Sequence, residues 1–360
     1  MPFPPQTQQP PRWDPWILQD GASYRLFYLS GRTDQTPWWK TSWICAARSV
    51  DMHQWQHLGP VLAPLSDHGW ESGRLFAGST YREADTDYLF YSAAPESDIS
   101  QEAIGLATSS DGQQWQRCDS PLLSFQDAFA GDGGDRTAAG TRYAGPCNWA
   151  GHLHWRDPYV VKEPTTQKYY LFFCASLTGS ALYQGGVGLA VAEQLAGPYQ
   201  LLPPAAGPGL LKAGTDDRSH WPFYHLERPQ IIYFQGKYHL FFSCFKEFVN
   251  PSWLEKVGPE KITDSTLYWY VCDQITGPFQ PVSELPVVLG SRSTGLYGTT
   301  FFPLHQQGDW ERAAQRDETE MAVLGWYYDR YQLAISQEFR AIWTSSGLEI
   351  VGGAIASSQL

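Results

Sequence analysis

The segment YHLERPQ (224–230) runs directly into the apolar run IIYF (231–234), turns at QGK (235–237) and returns as YHLFFS (238–243). Short aromatic and β-branched runs on either side of a glycine-containing turn predict a β-hairpin. An acid, Glu227, therefore stands at the mouth of an apolar strand. Because carboxylates are rarely buried without a partner, this position indicates a structural or a functional role for Glu227.

The arrangement of a polar motif, an apolar strand and an aromatic second strand occurs five times along the chain. WDPWIL (13–18) precedes YRLFY (24–28), and WRDPYVV (155–161) precedes KYYLFF (168–173). A fourth copy, FAGSTY (76–81), carries Ser79 in place of an acid, and a degraded fifth copy starts with YGTTFF (297–302). Copies that recur about every 70 residues indicate units that stack on one another or form a ring.

Most copies continue into a third strand and a short fourth strand, while long amphipathic helix patterns are nearly absent. The 33 Gly and 26 Pro residues punctuate the chain throughout. We therefore predict an all-β fold, a five-bladed β-propeller with four-stranded antiparallel blades around a central funnel. We predict a single domain over residues 1–360, in which 1–12 form a flexible tail, 203–212 form a loop between blades, and 341–354 close the ring.

In a propeller the first strand of each blade lines the central channel, so the residues that open these strands should converge at one end of the axis. The predicted set is Asp14, Ser79, Asp157, Glu227 and the region of Tyr297. Three carboxylates in one funnel suit glycosyl transfer, since one must attack or stabilise the anomeric carbon and another must protonate the leaving oxygen. The simpler alternative is that these motifs only cap strands.

Two arginines follow or precede the acids directly, in Arg156-Asp157 and Glu227-Arg228. Neighbouring side chains of a strand face opposite sides, so Arg156 and Arg228 start on the face away from the acids. We expect them either to reach around and hold the site or to brace adjacent blades.

The charge and hydropathy of the chain argue against nucleic acid and membranes as partners. The net charge of −12 and the lack of a Lys/Arg block make nucleic acid a poor partner, and no apolar run approaches the ~18 residues of a membrane span. The N-terminal twelve residues contain no apolar signal-peptide core, which favours a cytoplasmic location unless a leader was removed.

The 16 Trp and 20 Tyr residues suit carbohydrate binding. The six cysteines form no C-x-x-C pair and are expected to be free thiols.

Three motifs of the chain resemble those of a known enzyme family. WDPW (13–16) resembles the Trp-Asp-Ser-Trp-Pro opening of the levansucrases and inulosucrases, glycoside hydrolase family 68. RDP (156–158) resembles the Arg-Asp-Pro motif of that family and of the related invertases and fructanases of family 32. ERP (227–229), followed by GKYHLF (236–241), is similar to the Glu-Arg motif of family 68 with its hairpin.

The resemblance implies a β-propeller enzyme that acts on sucrose or a related β-fructofuranoside, by hydrolysis or by fructosyl transfer. It implies that Asp14 is the nucleophile, that Asp157 stabilises the oxocarbenium-like transition state, and that Glu227 is the general acid/base. This retaining mechanism needs Asp14 and Glu227 carboxyls about 5–5.5 Å apart. We expect the pKa of Glu227 to be raised and Asp14 to stay ionised.

The sequence departs from the family pattern at two places. Ala77 stands where the family has the serine that steadies the nucleophile, and His225 occupies the position of a second acid, two residues before Glu227. By position, the expected sugar contacts are Trp13, Phe76, Ser79, Arg156, His225, Arg228 and Tyr297. No cofactor is expected, and no metal, since no third ligand is evident beside His152 and His154.

Two other functions stay open on the residues alone. A family 43-like arabinosidase or xylosidase would work by inversion and would need a wider carboxyl separation of about 6.5–9.5 Å. A propeller without catalysis would only bind a sugar or a protein. The pairing of Arg-Asp-Pro with Glu-Arg favours the fructoside enzyme.

Overall fold

Each of the five repeats folds into its own antiparallel sheet, and the five sheets are arranged as a ring. The computed structural model describes residues 10–32, 38–66, 69–98, 100–131, 134–145, 154–178, 184–211, 221–262, 264–288, 294–304, 318–328, 333–344 and 347–351. In four of the sheets the strands pair antiparallel in sequence order, and in the fifth one short strand lies off this path and pairs only with the second strand among the described residues. The predicted five-bladed β-propeller is confirmed.

The strands of the first two blades closely follow the sequence repeats. Blade 1 contains β1 (Arg12–Asp20), β2 (Ser23–Gly31), β3 (Ser42–Ser49) and β4 (Gln56–Leu62). Blade 2 contains β5 (Arg74–Glu83), β6 (Thr86–Ala94), β7 (Ala103–Ser109) and β8 (Gln116–Arg117).

The remaining blades have the same order, with one extra strand in the last. Blade 3 contains β9 (Trp155–Lys162), β10 (Tyr169–Ser176), β11 (Gly185–Ala192) and β12 (Gln200–Ala206). Blade 4 contains β13 (Glu227–Phe234), β14 (Lys237–Phe245), β15 (Ser265–Cys272) and β16 (Gln280–Pro281). Blade 5 contains β17 (Tyr297–Pro303), β18 (Glu318–Tyr328), β19 (Leu333–Ile335), β20 (Phe339–Thr344) and β21 (Gly347–Val351).

Helices in the described residues are short. The α-helix α1 spans Pro251–Val257, and 3₁₀ turns lie at Trp38–Lys40, Gly69–Glu71, Phe125–Phe129, Gly140–Arg142, Lys246–Phe248 and Pro259–Lys261. Asn250 caps α1 by accepting a hydrogen bond from the backbone N–H of Ser252. No helix in the described part of the chain has the length and apolarity to cross a membrane.

Two predictions about connections are wrong. Residues 203–206 are not part of a loop, because they complete β12, the outer strand of blade 3. Of the predicted closing segment 341–354, the described residues 341–344 and 347–351 do not close the ring either, since they belong to β20 and β21 on the outer side of blade 5. The ring closes instead where β17 and β18 of blade 5 contact β1 of blade 1. The single domain over 1–360 stays a prediction.

Apolar side chains between neighbouring blades hold the ring together. The largest buried cluster joins blades 3 and 4 and includes Phe172, Phe223, Leu240 and Phe242. A second joins blades 2 and 3 around Trp155, and a third includes residues of blades 1, 2 and 5. Burial of these apolar side chains between neighbouring sheets stabilises the packing of the blades against one another.

A β-bulge interrupts the first strand of every blade at the same place. The pairing with the second strand shifts after Trp13, Phe76, Arg156, Glu227 and Tyr297, respectively. The next residue has a positive φ in four of the five blades: Asp14 (49°), Asp157 (55°), Arg228 (58°) and Gly298 (55°). A bulge bends the strand and re-aims the side chain beside it, so the bulge residues are turned toward the channel end.

This register corrects the predicted equivalence of the five copies. The residue that corresponds to Asp14 and Asp157 is Ala77 rather than Ser79 in blade 2, and Arg228 rather than Glu227 in blade 4. Glu227 corresponds instead to Arg156 and Trp13, one residue earlier. The three acids therefore come from two different positions of the repeat.

Candidate active site

The five bulge positions together make one end of the channel: two acids, one cation and two small residues. Asp14, Asp157 and Arg228 contribute the charges, and Ala77 and Gly298 leave space. A Cβ atom on Gly298 would lie 2.6 Å from Oδ1 of Asp14 and 2.7 Å from Nε1 of Trp326. Glycine is thus required in blade 5 so that the carboxylate of blade 1 can approach the ring of blade 5.

Asp14 is held by a residue that the sequence did not single out. The indole Nε1–H of Trp326, on β18, donates a hydrogen bond of 2.9 Å to Oδ1 of Asp14. Trp326 also packs edge-on against Tyr297, with ring centroids 5.1 Å apart. Trp326 therefore supplies the neutral hydrogen bond to Asp14 in a chain that has Ala77 where the family resemblance implies a serine.

Asp157 is the most enclosed of the three acids, with 5% of its surface exposed. Its Oδ2 accepts a hydrogen bond of 2.9 Å from the backbone N–H of Arg228 and lies 3.7 Å from the Sγ of Cys174. Its own backbone N–H donates to the hydroxyl of Ser92 on the neighbouring blade, at 3.2 Å. Contacts to blades 2 and 4 thus fix Asp157 from both sides.

Glu227 is held by two donors from different blades. The Tyr297 hydroxyl donates to Oε2 at 2.5 Å, and Nη2 of Arg156 donates to Oε1 at 3.1 Å. Both donors stand one residue before their bulge, the same repeat position as Glu227 itself. The side chains of Arg156 and Glu227 are 12% and 21% exposed, so this pair borders the open channel.

The environment raises the pKa of all three carboxyls. Burial is the largest cause for each. Repulsion from Asp157 adds to the rise at Asp14 and at Glu227, and repulsion from Glu102 adds to it at Asp157 and at Glu227. Arg156 opposes the rise at Glu227, and Arg228 opposes it at Asp14. Asp14 and Glu227 both keep part of their surface exposed, so water in the channel moderates the effect of burial.

For Glu227 the raised pKa agrees with its expected role as an acid. For Asp14 the outcome differs from the expectation that it stays ionised, because burial and the charges of Asp157 and Glu227 raise its pKa to about 8. Three interacting carboxyls titrate as a set, so the loss of each proton belongs to the group rather than to one residue.

Arg228 joins three blades at the axis. Its Nη1 donates to the backbone oxygen of Gly78 in blade 2 (2.8 Å), and its Nη2 donates to that of Pro15 in blade 1 (3.0 Å). Its guanidinium carbon lies 5.4 Å from the ring centroid of Trp16. Of the two alternatives predicted for the arginines, Arg228 braces blades, whereas Arg156 reaches around to Glu227.

We expect Arg228→Met to destabilise the ring strongly. Two hydrogen bonds from a charged donor are lost, and two inward carbonyls lose their partners, so the free energy of unfolding should fall by about 3–5 kcal/mol. Chemical denaturation would measure the loss. Arg48→Met is the matched control, because Arg48 is exposed on β3 and, among the described residues, its Nε donates to Ser23 alone. Equal stability of the two variants would contradict the bracing role.

Three of the residues predicted as sugar contacts lie mostly inside the protein. Trp13 is 3% exposed and packs in the cluster shared by blades 1, 2 and 5. Phe76 is 9% exposed, and the guanidinium carbon of Arg74 lies 4.0 Å from its ring centroid. Ser79 lies two residues past the bulge, where its hydroxyl accepts a hydrogen bond from the backbone N–H of Val160. Their roles as sugar contacts stay predictions.

His225 forms an aromatic wall beside Glu227. Its Nε2 lies 3.9 Å from Oε1 of Glu227, and its ring centroid lies 4.9 Å from that of His154 and 4.0 Å from that of Phe248. This wall is next to the carboxyl that is expected to protonate a leaving group.

His152 falls outside the described residues, and within them no cluster of three or more His, Cys, Asp or Glu could hold a metal ion. Five cysteines are described and all are free thiols, as predicted, whereas Cys147 is outside the described residues.

Sequence reasoning missed two residues of this site. Trp326 lies within the fifth repeat, but nothing in a strand pattern tells which aromatic ring donates a hydrogen bond. Glu102 lies just before β7, and its Oε1 accepts a hydrogen bond of 2.9 Å from Nη1 of Arg156. A single acid next to a short apolar strand was the only signal for it.

Over part of its length the chain is similar to one protein family and to known levansucrases. Residues 15–132 match the family described as the glycosyl hydrolases family 32 N-terminal domain. A stretch of 123 residues, 34% of this chain, is 34% identical to a levansucrase of Erwinia amylovora and spans 25% of that enzyme's length.

Two solved structures resemble the whole propeller. An inulosucrase from Halalkalicoccus jeotgali bound to kestose has a TM-score of 0.67 at 20% identity, and Bacillus subtilis levansucrase has a TM-score of 0.66 at 15% identity. In both cases 98% of this chain and 90% of the other chain are covered. The resemblance to the levansucrases and inulosucrases, and to the related family 32, is confirmed.

Proposed function

We propose that this levansucrase-like propeller is a retaining β-fructofuranosidase or fructosyltransferase, which acts on sucrose or a related β-fructofuranoside through a covalent fructosyl-enzyme intermediate. The observation that carries the proposal is that three blades contribute Asp14, Asp157 and Glu227 to one channel end, where separate donors orient each carboxyl. The relatives are levansucrases and an inulosucrase, one of them bound to kestose, which supports a fructose-containing substrate.

In the first step, a carboxylate oxygen of Asp14 attacks the anomeric carbon of the fructosyl unit. The bond to the leaving sugar breaks, its electron pair goes to the glycosidic oxygen, and that oxygen takes the proton of Glu227. The raised pKa of Glu227 keeps a proton available. Trp326 orients Asp14 with a neutral donor, which favours the carboxylate without adding a positive charge.

In the second step, Glu227 acts as the base. It removes a proton from water, or from a hydroxyl of an acceptor sugar, and the resulting oxygen attacks the anomeric carbon and expels the Asp14 carboxylate. The Tyr297 hydroxyl and Arg156 donate to Glu227 and stabilise its ionised form between the two steps.

Asp157 stabilises the positive charge that develops on the sugar ring in both steps. Its Oδ2 is already engaged by the backbone of Arg228 and lies near the Cys174 thiol, so its orientation is fixed before substrate enters. The aromatic wall of His225, His154 and Phe248 borders the proton-donating carboxyl. It is therefore in place to contact the leaving sugar or the acceptor.

Product analysis tests the proposal directly. The protein is incubated with sucrose, raffinose and inulin, and the products are separated and quantified. Equal glucose and fructose from sucrose means hydrolysis, and an excess of glucose over fructose means transfer to a sugar acceptor. Both results support the proposal.

Inactivity on all three fructosides would overturn it. Release of arabinose or xylose from synthetic arabinosides or xylosides, with inverted anomeric configuration, would favour the family 43-like enzyme. Sugar binding without any turnover would indicate an inert propeller.

A further inference from the structure

A fourth acid is buried behind the candidate site and has no role in the two chemical steps. Glu102 lies in the connection between β6 and β7, and its side chain is fully buried. A buried carboxylate costs free energy unless positive charges and hydrogen bonds compensate for it. One of the arginines that compensate for Glu102, Arg156, also binds Glu227.

The charged groups form an unbroken chain of four side chains. Nη2 of Arg74 lies 3.3 Å and Nη1 of Arg156 lies 2.9 Å from the same oxygen, Oε1 of Glu102. The other oxygen, Oε2, accepts a hydrogen bond of 3.1 Å from the backbone N–H of Trp155. Nη2 of Arg156 then continues the chain to Oε1 of Glu227 at 3.1 Å.

The guanidinium of Arg156 is thus divided between two carboxyls. Arginine binds a single carboxylate most strongly when two of its nitrogens donate in parallel. Glu102 occupies one of these nitrogens and leaves a single hydrogen bond for Glu227. Without Glu102, Arg156 could turn both nitrogens toward Glu227 and hold it as a carboxylate.

We propose that Glu102 is a positioning residue for the reaction, which acts through Arg156 to restrict that arginine to one hydrogen bond and so keeps Glu227 able to carry and release a proton. This inference rests on the proposed function only in so far as it takes Glu227 to be the proton donor. Glu102 itself is too deeply buried to touch a substrate.

The sign of its effect follows from the charges around Glu227. The ionisable groups that face Glu227 are Arg156 and Asp157 from β9, Cys174 from β10, Asp14 from β1, Tyr297 from β17, Cys244 from β14, His225 from its own segment, and Glu102. Arg156 lowers the pKa of Glu227, and Glu102 raises it. Neutralising Glu102 therefore leaves Arg74 and Arg156 uncompensated and should lower the pKa of Glu227.

Glu102→Gln tests the inference with two readouts. The first is a titration of the protein with ¹³C-labelled glutamate side chains by NMR, in which the Glu227 signal is identified by its loss in Glu227→Gln. The second is the pH profile of kcat/KM for sucrose. In Glu102→Gln we expect the Glu227 titration, and with it the alkaline limb of the profile, to move about one pH unit or more toward lower pH.

Glu71→Gln is the matched control. Glu71 is also fully buried, in the 3₁₀ turn before blade 2, and accepts hydrogen bonds from an arginine and a tyrosine of that blade, Nη1 of Arg117 at 2.9 Å and the hydroxyl of Tyr91 at 2.7 Å. Its loss should lower stability without moving the Glu227 titration.

The two readouts separate this inference from the proposed function. A shifted titration in a protein that cleaves no fructoside would support the role of Glu102 and overturn the proposed activity. Normal cleavage of sucrose with an unshifted titration in Glu102→Gln would overturn the role of Glu102. An equal shift in Glu71→Gln would also overturn it, because the effect would then be a general consequence of losing a buried charge.

Discussion

Glu227→Gln is expected to lower kcat/KM for sucrose by about 10²–10⁴-fold, because the variant has no proton to give the leaving oxygen. Glutamine matches glutamate in shape and can still accept a hydrogen bond from Tyr297. The loss should therefore reflect proton transfer rather than collapse of the site. Steady-state kinetics with sucrose over a range of pH would measure it, and the alkaline limb of the profile should disappear.

A substrate with a good leaving group sharpens this test. Fructosyl fluoride needs little protonation, so the first step should be largely restored in Glu227→Gln while turnover stays limited by the second step. Glu193→Gln is the control, since Glu193 is an exposed acid that pairs only with Lys168 among the described residues. Near-normal cleavage of sucrose by Glu227→Gln would remove Glu227 from the role of acid.

Asp14→Asn is expected to have the largest effect, a loss of about 10⁴-fold or more in kcat on every fructoside, activated or not. The amide cannot form the covalent intermediate, and a better leaving group does not replace a missing nucleophile. Activity on both sucrose and fructosyl fluoride would be measured. The contrast with Glu227→Gln, which the fluoride rescues, assigns the two carboxyls to different roles.

The control for Asp14 lies on the same strand. Asp20 ends β1 at the opposite end and pairs with Arg25 and Arg82, away from the channel carboxyls. Asp20→Asn should lose some stability but keep its turnover. If Asp14→Asn cleaved fructosyl fluoride at the rate of Asp20→Asn, Asp14 would not be the nucleophile.

Much of the site follows from a repeat that is visible in the sequence. The three motifs WDP, RDP and ERP each place a residue before proline at the bulge, and the structure turns these residues into the channel with a positive φ. Asp tolerates this backbone region better than most residues, which explains how two acids can occupy it. The strand pattern and the near-constant spacing of the copies were enough to predict the propeller.

The remainder of the site depends on register and on tertiary contacts. Glu227 stands one residue before the bulge rather than on it, and a motif alignment cannot reveal a shift that depends on the pairing with β14. Trp326 reaches Asp14 only because Gly298 leaves room for it. Glu102 lies in a loop of blade 2 and acts on a residue of blade 4. No local sequence pattern connects two positions so far apart in the chain.

The most direct test of the account is to identify the residue that becomes covalently fructosylated. Glu227→Gln would be incubated briefly with fructosyl fluoride, quenched in acid and digested, and the peptides would be sequenced by mass spectrometry. We predict one added fructosyl unit on the peptide that contains Asp14, and none when Asp14→Asn is combined with Glu227→Gln. A fructosyl unit on another carboxylate, or efficient turnover with inversion and no adduct, would contradict the claim that Asp14 and Glu227 work as nucleophile and acid in one shared site.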